Sequence, residues 1–306
     1  MGKPLTVQIR HVYTGEFPHT SFFSPHKDMV LTSAIKDITV YNAASRAVNF
    51  LRKGVPATSN FDSPKASEQG TPLVCYLPAV TSPSSILTLE LVFDVFPDEF
   101  FAKLSSTFSG LAGIPVFLPA SGYLLAGSVL VKLLGDLGHA LFDGKPAFDP
   151  NVSLDFDVPG VPPITADFRI VCNSDFDPTP FHFVPGKGLL DVGGKAYSGN
   201  SPYIVLSLDG KEQPDFVNFT PTVASAALLK QFFDIQDGSS AVLDTFVDAM
   251  KLFNDSKFRA EADKAQAQID KLIAGGTDPN SDEVKNLQAR KKALATNILQ
   301  DVLKPK

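Results

Sequence analysis

At about Val223 the apolar residues of this chain change their spacing, and that change constrains the fold more than any other feature. Upstream, apolar positions recur every second residue in short runs bounded by Pro, Gly, Asn and Asp, the period of half-buried strands. Downstream they recur every three or four residues, the period of amphipathic helices. Strands first and helices afterwards predict an α+β protein rather than an alternating βαβ one. Two regions follow from this. Residues 1–222 form a β-rich domain with a helical insertion at about 98–142, and residues 223–306 form a helical region ending in a hairpin. The chain has 306 residues, enough for each region to bury apolar surface.

The strand-like stretches are short. In Leu5 to Val12, Leu5, Val7 and Ile9 alternate with Thr6, Gln8 and Arg10. Met29 to Tyr41 carries Val30, Ile35, Ile38 and Val40, and a polar loop runs from Gly54 to about Thr71. Leu73 to Leu77 and Ser85 to Val95 follow, the second with Leu87, Leu89, Leu91 and Phe93 on one face. Further on, Val152 to Val158, Ile164 to Val171 and Tyr203 to Leu208 lie between dense Pro and Gly. Gly186 to Lys195 reads as hairpin turns. Short strands at this spacing predict an antiparallel β-sandwich.

Pro97-Asp98-Glu99 opens a helix running to about Leu111. From Ser105 to Val131 no charged residue occurs, a length that could span a bilayer. Pro115, Pro119 and several Gly interrupt it, so the expectation is a helix, a Pro-bounded connection, and a second helix over about 121–142, both buried. Past Val223, a helix from Ser239 or Ser240 reaches Phe253, and Asn254-Asp255-Ser256 predicts a break. The next helix carries Phe258, Ala262, Ala265, Ile269 and Leu272 on one stripe and stops at Gly275-Gly276. Ser281 or Asp282 caps a last helix with Val284, Leu287, Leu294, Ile298 and Val302. Its stripe is narrow, as in a coiled coil. Ile269, Leu272, Val284, Leu287, Leu294 and Ile298 are therefore the candidate partner-binding residues, for another protein or for self-association.

Charge excludes one class of partner. The net charge is −6, with no run of Lys and Arg longer than Arg290-Lys291-Lys292, which is unsuited to nucleic acid. Residues 251–306 alone are positive, with 11 Lys plus Arg against 8 Asp plus Glu. The N-terminal residues lack the apolar core of a secretory signal, so a cytoplasmic protein with two reduced thiols, Cys75 and Cys172, is expected. The five histidines, His11, His19, His26, His139 and His182, fit no zinc spacing, and no HExxH, GxSxG or P-loop pattern occurs. No catalytic residue is assigned. The belt from Asp143 to Asp177 holds the chemistry-bearing candidates. Its two Asp-Phe-Asp triplets place Asp155 with Asp157, and Asp175 with Asp177, on one side of an extended chain. Two such pairs meeting would make an oxygen-rich cage suited to Ca²⁺. A solvated polar face with Phe156 and Phe176 buried fits the same pattern and needs no cofactor.

Gly199-Asn200-Ser201-Pro202-Tyr203-Ile204-Val205-Leu206 resembles the segment that enters a strand in C2 domains, β-sandwiches that often bind calcium and phospholipid. The resemblance covers about eight residues and implies a C2-like sandwich. The family usually carries a calcium-ligating Asp just before the Pro, where this chain has Ser201; a second would fall near Lys195 or Ala196. The expected function is a non-enzymatic binding or adaptor protein whose helical hairpin docks a partner. Two other classes compete with it: a membrane-active protein inserting the uncharged 105–131 segment, and a hydrolase using carboxylates within 143–177.

Overall fold

The computed structural model describes residues 2–17, 26–36, 45–62, 72–81, 84–94, 98, 116–119, 151–155, 167–214, 216 and 240–298. Twelve strands and two helices occur among them: β1 (Leu5–Tyr13), β2 (His26–Lys36), β3 (Ser45–Pro56), β4 (Asn60–Asp62), β5 (Leu73–Leu77), β6 (Ser84–Asp94), β7 (Val116–Pro119), β8 (Asn151–Asp155), β9 (Asp167–Cys172), β10 (Phe181–Val184), β11 (Gly188–Asp191), β12 (Tyr203–Asp209), α1 (Ser240–Ala274) and α2 (Asp282–Thr296). The protein is α+β, with antiparallel sheets followed by two helices.

Two five-stranded sheets and one two-stranded hairpin account for the strands. In the first sheet β12 lies between β1 and β9, and the other edge of β1 is shared. Leu5 to Gln8 pair with β5, and His11 to Tyr13 pair with β4. The second sheet runs β7-β3-β2-β6-β8. One buried cluster draws side chains from both sheets: Val7, Ile9, Ile204 and Leu206 from the first, Leu31, Phe50, Leu87 and Leu89 from the second. Burying this apolar surface is the main term favouring the fold.

A bulge in β1 decides which residues reach that core. Ile9 lies opposite Leu206, yet His11 lies opposite Val205, so Arg10 is an extra residue in the pairing. Strict alternation would keep His11 and Tyr13 on the face of Ile9. The inserted residue reverses the phase. Val12 therefore joins Ile9 in the shared core, while His11 and Tyr13 turn to the opposite face. There they meet Leu189, Tyr203 and Val205, beneath Phe176, Phe181, Phe183 and Tyr197.

Several sequence-based expectations change. Ser45–Pro56 is a full strand, β3, although its run includes Arg46, Arg52 and Lys53. The loop expected after Gly54 contains the end of β3 and all of β4. Within the uncharged run, Val116–Pro119 form β7, paired with Ser45 to Val48. The helices expected over about 98–111 and 121–142 lie otherwise outside the described residues, as does Asp157. No break occurs at Asn254-Asp255-Ser256, because α1 continues through it for 35 residues. Asp255 is buried there. Asn, Asp and Ser favour helix ends because their side chains compete for backbone groups, but that preference is weak enough for packing to override.

The end of α1 behaves as expected. Gly276 takes φ +88°, Gly276 N donates to the Ile273 carbonyl, and Thr277 N donates to that of Leu272, both at 3.0 Å. This is a Schellman termination, and only glycine adopts that backbone without strain. Ser281 Oγ then accepts from Val284 N and starts α2. Among the described residues no helix is long and apolar enough to cross a membrane.

Candidate functional site

A group of polar side chains inside the described fold surrounds His11. Its ring is 2% exposed. Nδ1 lies 3.1 Å from Asp62 Oδ1 and Nε2 lies 2.9 Å from Asn60 Oδ1. The β1–β4 register makes this possible, since His11 faces Asp62 and Tyr13 faces Asn60 across the ladder. Tyr203, delivered by β12, stacks on the His11 ring at 5.8 Å and on Tyr13 at 5.2 Å. Its hydroxyl donates to Asn60 Oδ1 at 3.5 Å and accepts from Leu189 N at 3.1 Å. A continuous polar chain thus runs from β4 through β1 and β12 to β11.

The β10–β11 hairpin covers this chain. Gly188, at φ +80°, lies so close that a Cβ there would sit 2.8 Å from Tyr203 Oη and 3.0 Å from His11 Nε2. Phe183 tilts against the His11 ring at 5.8 Å and meets Phe168 edge-on at 5.0 Å. Tyr197 packs edge-on to Tyr13, Phe181 and Tyr203. Aromatic pairs of this geometry stabilise beyond their buried area. Burial pushes the Tyr203 phenol up to about 12, and it raises Tyr13 as well. Both phenols therefore stay protonated near neutral pH and act as donors, not as nucleophiles. No sequence motif announced this site, because its members are brought together by pairing across β1, β4 and β12.

Of the four acidic residues expected to hold a metal, Asp157 lies outside the described residues, and the others lie in one strand and one connection. Asp155 ends β8 in the second sheet, opposite Ser84. Asp175 and Asp177 lie in the connection between β9 and β10. Asp175 Oδ2 accepts from Ser201 Oγ at 3.1 Å, and Asp177 Oδ1 accepts from Thr179 N at 2.9 Å. The Thr179 side-chain hydroxyl, and after it this backbone hydrogen bond, hold the Asp177 carboxyl below its ordinary range. Among the described residues no three His, Cys, Asp or Glu side chains converge as metal ligands do.

Both cysteines are free. Cys75 is buried, and burial pushes its thiol up to about 12. Cys172 is half-buried, and burial together with the charges of Asp175 and Asp177 raises it too. A thiol held protonated is a poor nucleophile.

The candidate partner-binding residues divide into two sets. Ile269, Val284, Leu294 and Ile298 are buried. Phe258 and Ala262 of α1 pack with Leu294 and Ile298 in one cluster. Two polar pairs flank the helix contact: Arg290 Nη2 with Glu261 Oε2 at 3.4 Å, and Lys291 Nζ with Gln266 Oε1 at 2.7 Å. Leu272 and Leu287 differ, being half-buried and lining an open groove at the turn with Gln268, Lys271, Glu283 and Asn286. Ile273 beside them is 42% exposed. No protein-family model matches the chain, and no curated protein matches it with significant similarity.

Proposed function

We propose that the chain is a non-enzymatic binding or adaptor protein. In this reading residues 1–222 form a C2-like β-sandwich, and the helical region from 223 onward presents a hairpin whose turn docks a helical partner. The observation that supports it is the contrast between the two ends of the hairpin. At the base, Phe258, Ala262, Leu294 and Ile298 are buried, and Asn297 is hydrogen-bonded to Ala79 in the β-rich region. At the tip, Leu272 and Leu287 line an open groove with Ile273 alongside. An amphipathic helix recognises its partner through apolar residues at i, i+3, i+4 and i+7, which suits a short groove floored by two leucines. Lys271 and Glu283 on the rim would set its orientation through charge.

The test uses the full chain with a photo-crosslinking residue at position 273, expressed in its native cell. A discrete crosslinked species is expected, and Leu272→Glu with Leu287→Glu should abolish it while the far-ultraviolet circular dichroism stays unchanged. The same crosslinked species from the double variant would overturn the tip as docking site.

A further inference from the structure

We propose that the outer edge of β9 is a dimerisation surface, on which β9 pairs antiparallel with β9 of a second copy of this chain about a two-fold axis at Phe168. β9 ends the first sheet, and among the described residues no strand lies beyond it. The longer strand on the opposite edge, β5, is buried at all five positions. β9 instead exposes its first three residues, and Phe168 is 47% exposed. An open edge strand carrying an exposed aromatic side chain is a template for another strand.

The backbone direction shows what this edge offers. Phe168 N donates to Asp167 Oδ1 at 2.8 Å, so its N–H points away from β12. In a strand, the N–H and C=O of one residue point to the same side, and the side alternates along the chain. Phe168 and Ile170 therefore present both groups outward. The Asp167 carboxylate guards the first of them, while its Oδ2 lies 3.3 Å from Arg169 Nε. Both side chains of that ion pair are half-exposed, and exposed pairs are weak enough to exchange partners.

Charge around Phe168 selects the occupant. Asp167 and Arg169 flank it on either side with opposite signs. When two copies pair antiparallel with Phe168 opposite Phe168, each Asp167 faces the other copy's Arg169, twice over. These are the non-hydrogen-bonded positions of the ladder, where side chains approach most closely and opposite charges attract. Between them the two Phe168 residues exchange a pair of backbone hydrogen bonds. Their rings, each already edge-on to Phe183 at 5.0 Å, meet on the outer face of the joined sheet. The same patch serves both copies, so the contact closes as a dimer and leaves no edge to propagate. It is separate from the hairpin tip at Leu272 and Leu287.

The test is the oligomeric state of the full chain, by sedimentation velocity over a concentration series. A dimer is expected for the wild type, with amide exchange in β9 slowing as concentration rises. Asp167→Arg and Arg169→Asp each set like charges opposite one another twice, and each should weaken the dimer at least about tenfold. Mixed in equal amounts the two variants are complementary again, and a one-to-one dimer should return. Mixing cannot restore the ion pair within either chain, so recovery reports the contact between copies alone. Leu272→Glu with Leu287→Glu should leave this dimer intact, which separates its failure from that of the hairpin tip. A wild type that stays monomeric, with β9 exchange independent of concentration, would overturn the proposal. So would single variants that dimerise as the wild type does, or folded variants whose mixture stays monomeric.

Discussion

Asn297 donates through Nδ2 to the carbonyl of Ala79 at 2.9 Å, joining the C-terminal end of α2 to the connection between β5 and β6 across 218 residues of sequence. The same amide donates to the Ala293 carbonyl at 3.0 Å, so one side chain caps its helix and fastens it to the β-rich region. Both bonds are buried. Asn297→Leu leaves the Ala79 carbonyl without its donor. The expected loss is about 1–3 kcal/mol, the cost of a stranded buried polar group. Denaturant titration measures it, and amide exchange should show the loss concentrated in α2. An unchanged midpoint would mean that the bond contributes nothing net.

The interior of the hairpin and its groove should respond differently to truncation. Leu294 is fully buried, so Leu294→Ala removes side-chain volume from a closed contact, at about 2–5 kcal/mol. Leu287 is only half-buried and borders open space. Leu287→Ala should cost well under half as much. Equal losses at the two positions would show that the groove is closed by something else.

Gly188 and Gly186 provide a matched pair. Both have a positive φ, +80° and +77°, but a Cβ at Gly186 meets nothing within 4 Å. Gly186→Ala therefore carries only the backbone penalty, about 1–2 kcal/mol. Gly188→Ala adds collisions with Tyr203 and His11 and should be the more damaging by at least about 1 kcal/mol. Near-ultraviolet circular dichroism of the tyrosine cluster should change for Gly188→Ala alone.

Alkaline pH should destabilise the fold before any backbone chemistry intervenes. Cys75 and Tyr203 hold their protons more tightly when folded, at about 12 each, against ordinary values of 9.0 and 10.0. The folded state then binds more protons than the unfolded one throughout that interval, so stability falls as pH rises through it. The loss begins near pH 9 and is complete by about pH 12. Phenolate absorbance checks it, since Tyr203 should ionise only together with unfolding. Ionisation of every tyrosine near pH 10 in the intact protein would contradict this.

How much of this was legible in the sequence varies with the kind of signal. Ser84–Asp94 alternates cleanly, with Leu87, Leu89 and Leu91 buried, and the period gives the strand at once. The Gly186–Lys195 turns and the Gly276 helix end are local backbone requirements, and local requirements show in one dimension. β3 was hidden because Arg46, Arg52 and Lys53 break its apolar run, while its pairing partners lie elsewhere in the chain. The His11 site was hidden for a deeper reason. Periodicity places His11 with Ile9, and one inserted residue at Arg10 sends it to the other face. A bulge is set by pairing with β12, and no pattern within β1 marks it.

The absence of a break in α1 has a mechanical consequence. A continuous helix of 35 residues is a rod about 52 Å long at 1.5 Å per residue. α2 returns along it from the turn to the Asn297 anchor, over about 24 Å. The Gly275–Ser281 turn is therefore held at a set distance along the helix axis from that anchor. Adding or removing one helical turn in both arms would shift the turn by about 5 Å along the helix axis from that anchor.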